Sequence, residues 1–471
     1  MVTYQDFLKV GENKNDRMAF IRTAVSQYQA TEEYKIAKDA DLYARKRNPD
    51  IAKLTKTLYT VTGRRVADTY SSNYKVGRAF FPFFVTQEVQ YLLGNGVNWE
   101  GNDTSERLGT KKYKFDTQLQ EAGRKALIGG CAYGFWNLDH VEVFSALEFV
   151  PLVDEENGSL RAGIRYWQID ETKPFRATLY EEEGYTDYIW NRRKEGEYRE
   201  FGEELHERRP YVIKVTGADI DDEKIYYGEN YETFPIVPLW ANTDHQSEIV
   251  GLRDQIFAYD VIRSGFCNTV EEASYVYWGI QNAPGMDEQE LADFLTRVRT
   301  LHVALTEDNG SVATPHSIET PMGSREALLQ RLEKDIFKDA MAFDPMEVAG
   351  GAITATQINA AYNPLNMKTD GFEYCIIKFV NGILDLAGVE DNPTFTRSKN
   401  VNVAEEIQTV MQAATALDEE YVTRKVLDIL GDGDQAEEII QRRIADEMTR
   451  QRYEPKEKIE ESESGDVNVA E

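Results

Sequence analysis

In the last third of the chain, two strongly patterned helices bracket an apolar stretch centred on paired glycines. Leu328, Leu332, Ile336 and Ala340 recur every fourth residue with Leu329 and Phe337 beside them, which writes one apolar face onto a helix beginning near Ser324 and running to Asp344. Asp344-Pro345 predicts its stop, because proline disfavours the α region for its predecessor and has no amide hydrogen. Beyond the stretch, Thr354 and Gln357 stand at capping-box spacing and predict the start of a new helix. Between these ends lie Met346, Glu347, Val348, Ala349, Gly350, Gly351, Ala352 and Ile353, with Glu347 the only charge. A phosphate-cradling loop needs Lys and then Ser or Thr after its last glycine, and Thr354-Ala355-Thr356 supplies neither in place, so the pattern predicts a mobile hydrophobic loop. The competing reading is an ordinary interhelical connection partly buried in a core.

The rest of the chain reads as an α+β protein. Residues 1 to about 60 are helix-like and highly charged, and the chain turns apolar from Tyr74 to Trp99, with a turn at Gly94-Asn95-Gly96. A helix and then a strand follow over 115–138, broken at Gly129-Gly130, before Tyr-rich alternating runs from Val141 to Trp240 that predict antiparallel strands. From Ser247 to Ser274, Ile249, Leu252, Ile256, Ile262, Phe266 and Val270 recur mostly at steps of three or four. This predicts one amphipathic helix of about 28 residues, roughly 42 Å long. Tyr275 to Met322 reads as a compact insert of a strand, a helix over 287–300, a strand over 301–307 and a last strand over 311–319. After the loop, Ala355 to Ala387 is helical with a kink at Asn363-Pro364 and a stop at Gly388. Three shorter helices follow, and the charged tail from Glu454 predicts disorder.

Charge narrows the possible functions. Lys plus Arg number 53 against 82 Asp plus Glu, a net charge of −29, whereas nucleic-acid affinity comes largely from cations that displace counterions from phosphate. A tight, free-standing DNA binder is therefore not expected. The three cysteines, Cys131, Cys267 and Cys375, lie too far apart for a disulfide framework or zinc site, and the five histidines include no pair at metal-ligand spacing. No catalytic residue, metal ligand or cofactor is expected. No run of eighteen apolar residues predicts a membrane span, and the N-terminus carries no secretory h-region, which points to a cytoplasmic origin.

The order of these parts resembles the bacteriophage portal proteins, in particular those of tailed phages infecting Gram-positive bacteria. Four segments carry the likeness: YLLGNGV (Tyr91 to Val97), LIGGCAYGFWNLD (Leu127 to Asp139), the run from Phe234 to Ser274, and GGAITATQINAAYNPLNMKTD (Gly350 to Asp370). It is strongest from Tyr91 to Lys378 and fades in both tails. The resemblance implies a portal fold assembled as a homo-oligomeric ring, usually of twelve subunits, at one vertex of the capsid. Residues 1–240 would form the wing, 247–274 and 324–343 the stem helices, and 275–323 the clip. The tunnel loop would be 344–353, a kinked helix at the wing/crown junction 354–394, the crown 395–452 and a disordered acidic tail 453–471.

Double-stranded DNA would pass through the channel without sequence specificity, driven by a separate terminase. The implied partners are the terminase large subunit, a head-tail adaptor, and the major capsid and scaffolding proteins, with no membrane. The protein would reside in the virion after assembly in the host cytoplasm. Loop residues Met346 to Ala352 would face the DNA. Arg331, Lys334 and Lys338 on the second stem helix could line the lumen, or else pair on the helix surface with Glu333 and Asp335. Twelve copies would carry roughly −350 in charge, a surface that confines a duplex without gripping it. Two other readings compete: a magnesium-dependent nucleic-acid-processing enzyme, for which no metal-binding pattern is recognisable, and another ring-forming head or tail component, although adaptors are generally much shorter.

Overall fold

Oxygen-bearing side chains placed just ahead of apolar runs start the N-terminal helices. The Thr3 hydroxyl accepts from the Asp6 amide to begin α1 (Tyr4–Val10), and the Asn13 side chain likewise begins α2 (Lys14–Ala30). Thr31 ends α2 and caps α3 (Glu32–Ala44); Asn48, followed by Pro49 at the first helical position, starts the single turn α4 (Pro49–Ala52). The computed structural model describes residues 2–59, 63–68, 71–101, 103–191, 201–216, 225–272, 277–281, 289, 312–316, 322–347, 355–398, 403–414, 417–430, 433 and 436–453. The chain divides into two units, one of residues 1–345 with 361–398 and one of 346–360 with 399–471.

In the first unit, β1 (Thr57–Tyr59) and β2 (Arg65–Ala67) form a short antiparallel pair ahead of α5 (Phe80–Leu93). The apolar run Phe80 to Leu93 buries side chains on more than one face, as a helix inside a core must. Next come β3 (Val97–Asn98), α6 (Thr104–Arg107) and α7 (Phe115–Gly129), which ends at Gly130 in the left-handed region at φ 85°. A three-stranded antiparallel sheet follows, ordered β13 (Ile236–Trp240), β4 (Cys131–Asn137), β5 (His140–Ser145).

The alternating runs expected up to Trp240 form a second antiparallel sheet, ordered β10 (Phe201–Glu204), β9 (Gly184–Asn191), β8 (Phe175–Glu181), β7 (Leu160–Trp167), β6 (Phe149–Val153). A hairpin of β11 (Val212–Thr216) and β12 (Ile225–Glu229) stands beside it. Ile21, Ala24, Val25 and Tyr28 of α2 join Val150, Leu152, Ile164 and Leu179 of this sheet in one core.

The helix expected over 247–274 is shorter than its apolar spacing predicts. It is α8 (Arg253–Glu272), 20 residues, because Gly251 takes φ 85° and the Ser247 hydroxyl accepts from the Ile249 amide, holding residues 247–252 in a tight turn. The insert is described as one hairpin, β14 (Tyr277–Gln281) with β15 (Val312–His316); the helix expected over 287–300 and the strand over 301–307 lie outside the described residues, Gln289 apart.

The helix expected from near Ser324, α9 (Met322–Asp339), ends before the proline expected to stop it. Met341 adopts φ 51°, and the amides of Met341 and Ala342 reach back to the carbonyls of Lys338 and Phe337, so a left-handed residue closes the helix. Across the loop, α10 runs Ala355–Ala387 with Pro364 inside it, and Gly388 at φ 62° is the expected stop. Thr394 and Phe395 form β16, paired with β3. α10 crosses the three-stranded sheet where Gly134 has no side chain: a Cβ there would lie 2.5 Å from the Phe379 ring.

The second unit holds α11 (Val403–Ala413), α12 (Glu419–Leu430) and α13 (Ala436–Tyr453), the three short helices expected from the sequence. Arg424 to Glu437, and Arg443 to both Glu419 and Thr423, join α12 to α13. Thr354 and the tail from residue 454, where a helix cap and disorder were expected, lie outside the described residues.

Candidate functional site

The helices α8 and α9 lie antiparallel and are tied at both ends: Gln255 of α8 donates to Asp339 of α9, and Arg325 of α9 donates to Thr269 of α8 at 2.8 Å. Their apolar contact is aromatic. Phe337 of α9 lies edge-on to Phe80, Phe83 and Phe84 of α5 at 5.2 to 6.1 Å, and Tyr259 of α8 meets Phe80 at 5.0 Å. The four-residue repeat on α9 thus buries Ile336, Phe337 and Ala340, while Leu328 at its other end stays exposed. Arg253, in the first turn of α8, pairs with Asp50 and Asp39 at 2.8 Å and holds the Asp50 carboxyl below its ordinary range.

Beyond Tyr259, the inner face of α8 is polar. Asp260, Ser264 and Asn268, one per turn and all buried, accept the backbone amides of Arg78, Val76 and Tyr74 at 2.9, 2.9 and 2.7 Å. Asp260 also accepts from the Asn48 amide group at 2.7 Å; burial raises its carboxyl above the usual range against these two donors. An extended strap, residues 74–78, is thereby bound along the helix by side chains in place of a neighbouring strand. Arg78 continues the link, reaching Glu333 of α9 at 2.5 Å. Ser264→Ala is expected to cost about 1–2 kcal/mol, because the Val76 amide would be left buried without an acceptor. Hydrogen exchange at Val76 checks it: that amide should lose protection ahead of the wing sheet.

Where α5, α8 and α10 meet, a lysine is buried between two carboxylates. Lys368 of α10 lies 2.8 Å from Glu88 of α5 and 2.7 Å from Glu248, just ahead of α8, and donates to the Ala340 carbonyl at the end of α9. Burial works against the ammonium, but the two carboxylates outweigh it and hold Lys368 above the usual lysine range. Glu88 is pushed up to about 7, by burial first, with Lys368 opposing and Glu248 adding to the rise. One cation thus serves two anions.

The first buried residue ahead of the loop is anchored twice. The Gln87 side chain donates to the Phe343 carbonyl at 2.9 Å and accepts its amide at 3.0 Å, as a neighbouring strand would. The Phe343 ring stacks on Tyr362 of α10 at 4.1 Å, and Tyr362 stacks on Tyr91 at 5.6 Å. Tyr91 bonds Asn366 through its hydroxyl and lies under the guanidinium of Arg397, itself paired with Asp370 and Glu373.

Met346 and Glu347 sit in a single tight turn, Pro345–Glu347, with Met346 78% exposed. Val348, Ala349, Gly350, Gly351 and Ala352 lie outside the described residues. Arg331, Lys334 and Lys338 are all exposed and share the face of α9 opposite Ile336 and Ala340. The surface pairing expected for them is half met. Arg331 reaches Asp335 at 3.8 Å with its side chain 82% exposed, a geometry worth little, whereas Glu333 is taken by Arg78.

The stripe expected on α8 also splits: Ile249, Leu252 and Ile256 are buried, but Ile262 and Phe266 are only partly covered and Val270 is exposed. Sequence patterning did not single out the strap, Gln87, Tyr362, or the Glu88, Lys368 and Glu248 group. The signals available were a lysine inside the apolar helix after Pro364 and polar residues at four-residue spacing in α8.

Among the described residues no three of His, Cys, Asp and Glu are grouped to hold a metal ion, and no helix is long and apolar enough to cross a membrane.

The sequence pattern of a family described as "Phage portal protein, SPP1 Gp6-like" matches residues 15–449, well beyond the span from Tyr91 to Lys378 that carried the resemblance. The portal protein of Bacillus phage SPP1 is 25% identical over 405 residues, covering 78% of this chain and 75% of that one. The portal protein of Clostridium phage phiCD119 is 25% identical over 280 residues, 56% of this chain and 58% of that one. Among solved structures, a chain in the neck of an empty GTA particle computed with C6 symmetry superposes with a TM-score of 0.44 at 10% identity, over 73% of this chain and 89% of that chain.

Proposed function

The chain belongs to the SPP1 Gp6-like family of phage portal proteins, and from that premise we propose that it assembles into a ring, of twelve copies, at one vertex of the virion's capsid. The observation that carries the ring is the stripe Ile262, Phe266, Val270 on α8. It recurs every fourth residue, yet the chain's own packing covers Ile262 and Phe266 only in part and leaves Val270 exposed, as befits an apolar face that a neighbouring copy covers. Double-stranded DNA passes through the centre under the drive of a separate terminase, whose large subunit docks on the clip. A head-tail adaptor and the major capsid and scaffolding proteins bind elsewhere, and assembly takes place in the host cytoplasm. Met346 to Ala352 form the tunnel loop, and small apolar side chains there touch the duplex without the grip an arginine ring would exert.

The exposed cations Arg331, Lys334 and Lys338 support a lumen-facing side for α9. Three cations against a net charge of −29 leave the channel unable to neutralise phosphates wholesale.

Negative-stain electron microscopy with light scattering across a concentration series tests the assembly. Rings with a central hole are expected; a strictly monomeric chain at every salt concentration would overturn the reading. The purified chain with magnesium is expected neither to hydrolyse ATP nor to cut DNA, and robust turnover by this chain alone would favour the enzyme reading instead.

A further inference from the structure

Phe343 is the last buried residue before the loop, and Tyr362 is the first buried residue after it among the described residues. Their rings lie 4.1 Å apart and 4° from parallel, so residues 344–361 leave and return at a single stacked pair. A plain core contact needs only apolar volume. Here orientation is specified as well: Gln87 reads both backbone groups of Phe343, and Tyr91 extends the stack on Tyr362 at 11° from parallel. Tyr91 is in turn held by Asn366 and by the guanidinium of Arg397. A two-point amide bond and a flat stack together resist both sliding and rotation of the chain at this point.

We propose that Phe343, Tyr362 and Gln87 are positioning residues for the loop, holding the chain at one fixed spot on either side of residues 344–361, so that a displacement imposed between them does not unwind the end of α9 or the buried part of α10. The structural half of this proposal stands on the contacts alone, and its consequence for DNA passage rests on the channel reading above.

The test uses full-length assembled rings. Tyr362→Leu keeps apolar bulk and removes the flat ring, Tyr362→Phe keeps the ring, and Gln87→Leu removes the amide clamp. Each is read by hydrogen exchange on peptides spanning residues 341–345 and 361–366, with peptides from the wing sheet as the reference, and by packaging of DNA into heads. For Tyr362→Leu and Gln87→Leu, exchange at the loop ends is expected to rise at least tenfold with the wing sheet unchanged, and packaging to fall several-fold; Tyr362→Phe should match the parent. If Tyr362→Leu fails to form rings, Gln87→Leu alone decides, through exchange of the Phe343 amide. Unchanged exchange at the loop ends, or an equal rise in the wing sheet, overturns the proposal. Faster exchange at the loop ends with packaging intact upholds the positioning role and overturns its consequence for DNA passage.

Discussion

Lys368→Met is expected to lower stability by about 3–5 kcal/mol, the loss that follows when a buried ion pair is stripped of one partner. The side chain's volume is retained, so the effect is electrostatic: Glu88 and Glu248 would face each other across the site without the ammonium that both now contact. Measured at fixed protein concentration, the thermal midpoint should fall by roughly 5–10 °C. Adding Glu88→Gln to that variant should restore a large part of the loss, because one of the two unpaired anions disappears.

The same group sets a pH dependence of known sign. Glu88 has its carboxyl raised from 4.5 to about 7 in the folded chain, so its contribution to stability is complete below 4.5 and is lost as pH rises through about 7. Between about pH 5 and pH 8 the parent should therefore lose more stability than Glu88→Gln does, by up to about 3 kcal/mol. A parent and variant with parallel pH profiles would rule out a raised Glu88 carboxyl.

Replacing Gly350 and Gly351 together with valine is expected to leave ring assembly intact and to reduce DNA packaging by on the order of tenfold or more. Valine closes the left-handed region that glycine keeps open, and each residue forced there costs on the order of 1–3 kcal/mol. The apolar faces of α9 and α10 are untouched by the change, and so are Phe343, just ahead of the loop, and Tyr362, within α10. Packaging assayed in heads carrying the double variant decides the matter. A normal rate would make the segment a plain connector, and loss of rings would place it in the contact between copies.

Patterning made some of this architecture legible and concealed the rest for identifiable reasons. On α9 the apolar repeat marks Ile336, Phe337 and Ala340 correctly, since apolar side chains do the burying there. On α8 the same logic fails past Tyr259, because Asp260, Ser264 and Asn268 occupy the inner face and the backbone of a distant segment satisfies them. Periodicity assumes that buried means apolar. Helix ends were blurred where a left-handed residue closed or delayed them: Gly251 holds back the start of α8, and Met341, a residue type with no such preference, stops α9 ahead of Pro345. The Gln87 clamp and the Glu88, Lys368 and Glu248 group join residues hundreds of positions apart, and a charged residue inside an apolar run does not announce its partner. The flanks of the loop were legible in the sequence, whereas Phe343 and Tyr362 follow no apolar repeat that would single them out.

The strap on α8 has a consequence for how the stem can move. Three contacts repeat every fourth residue of the helix and every second residue of the strap, that is, about 6 Å of helix against about 6.6 Å of extended chain. Successive amides of an extended chain point to opposite sides, so sliding the helix by one strap residue would turn all three amides away from their acceptors at once. The next position at which they could meet again lies a full turn along. Strap and helix thus engage like a rack and its teeth. Axial travel of α8 past residues 74–78 would have to occur as a single jump of about one turn between detents, with no intermediate stop.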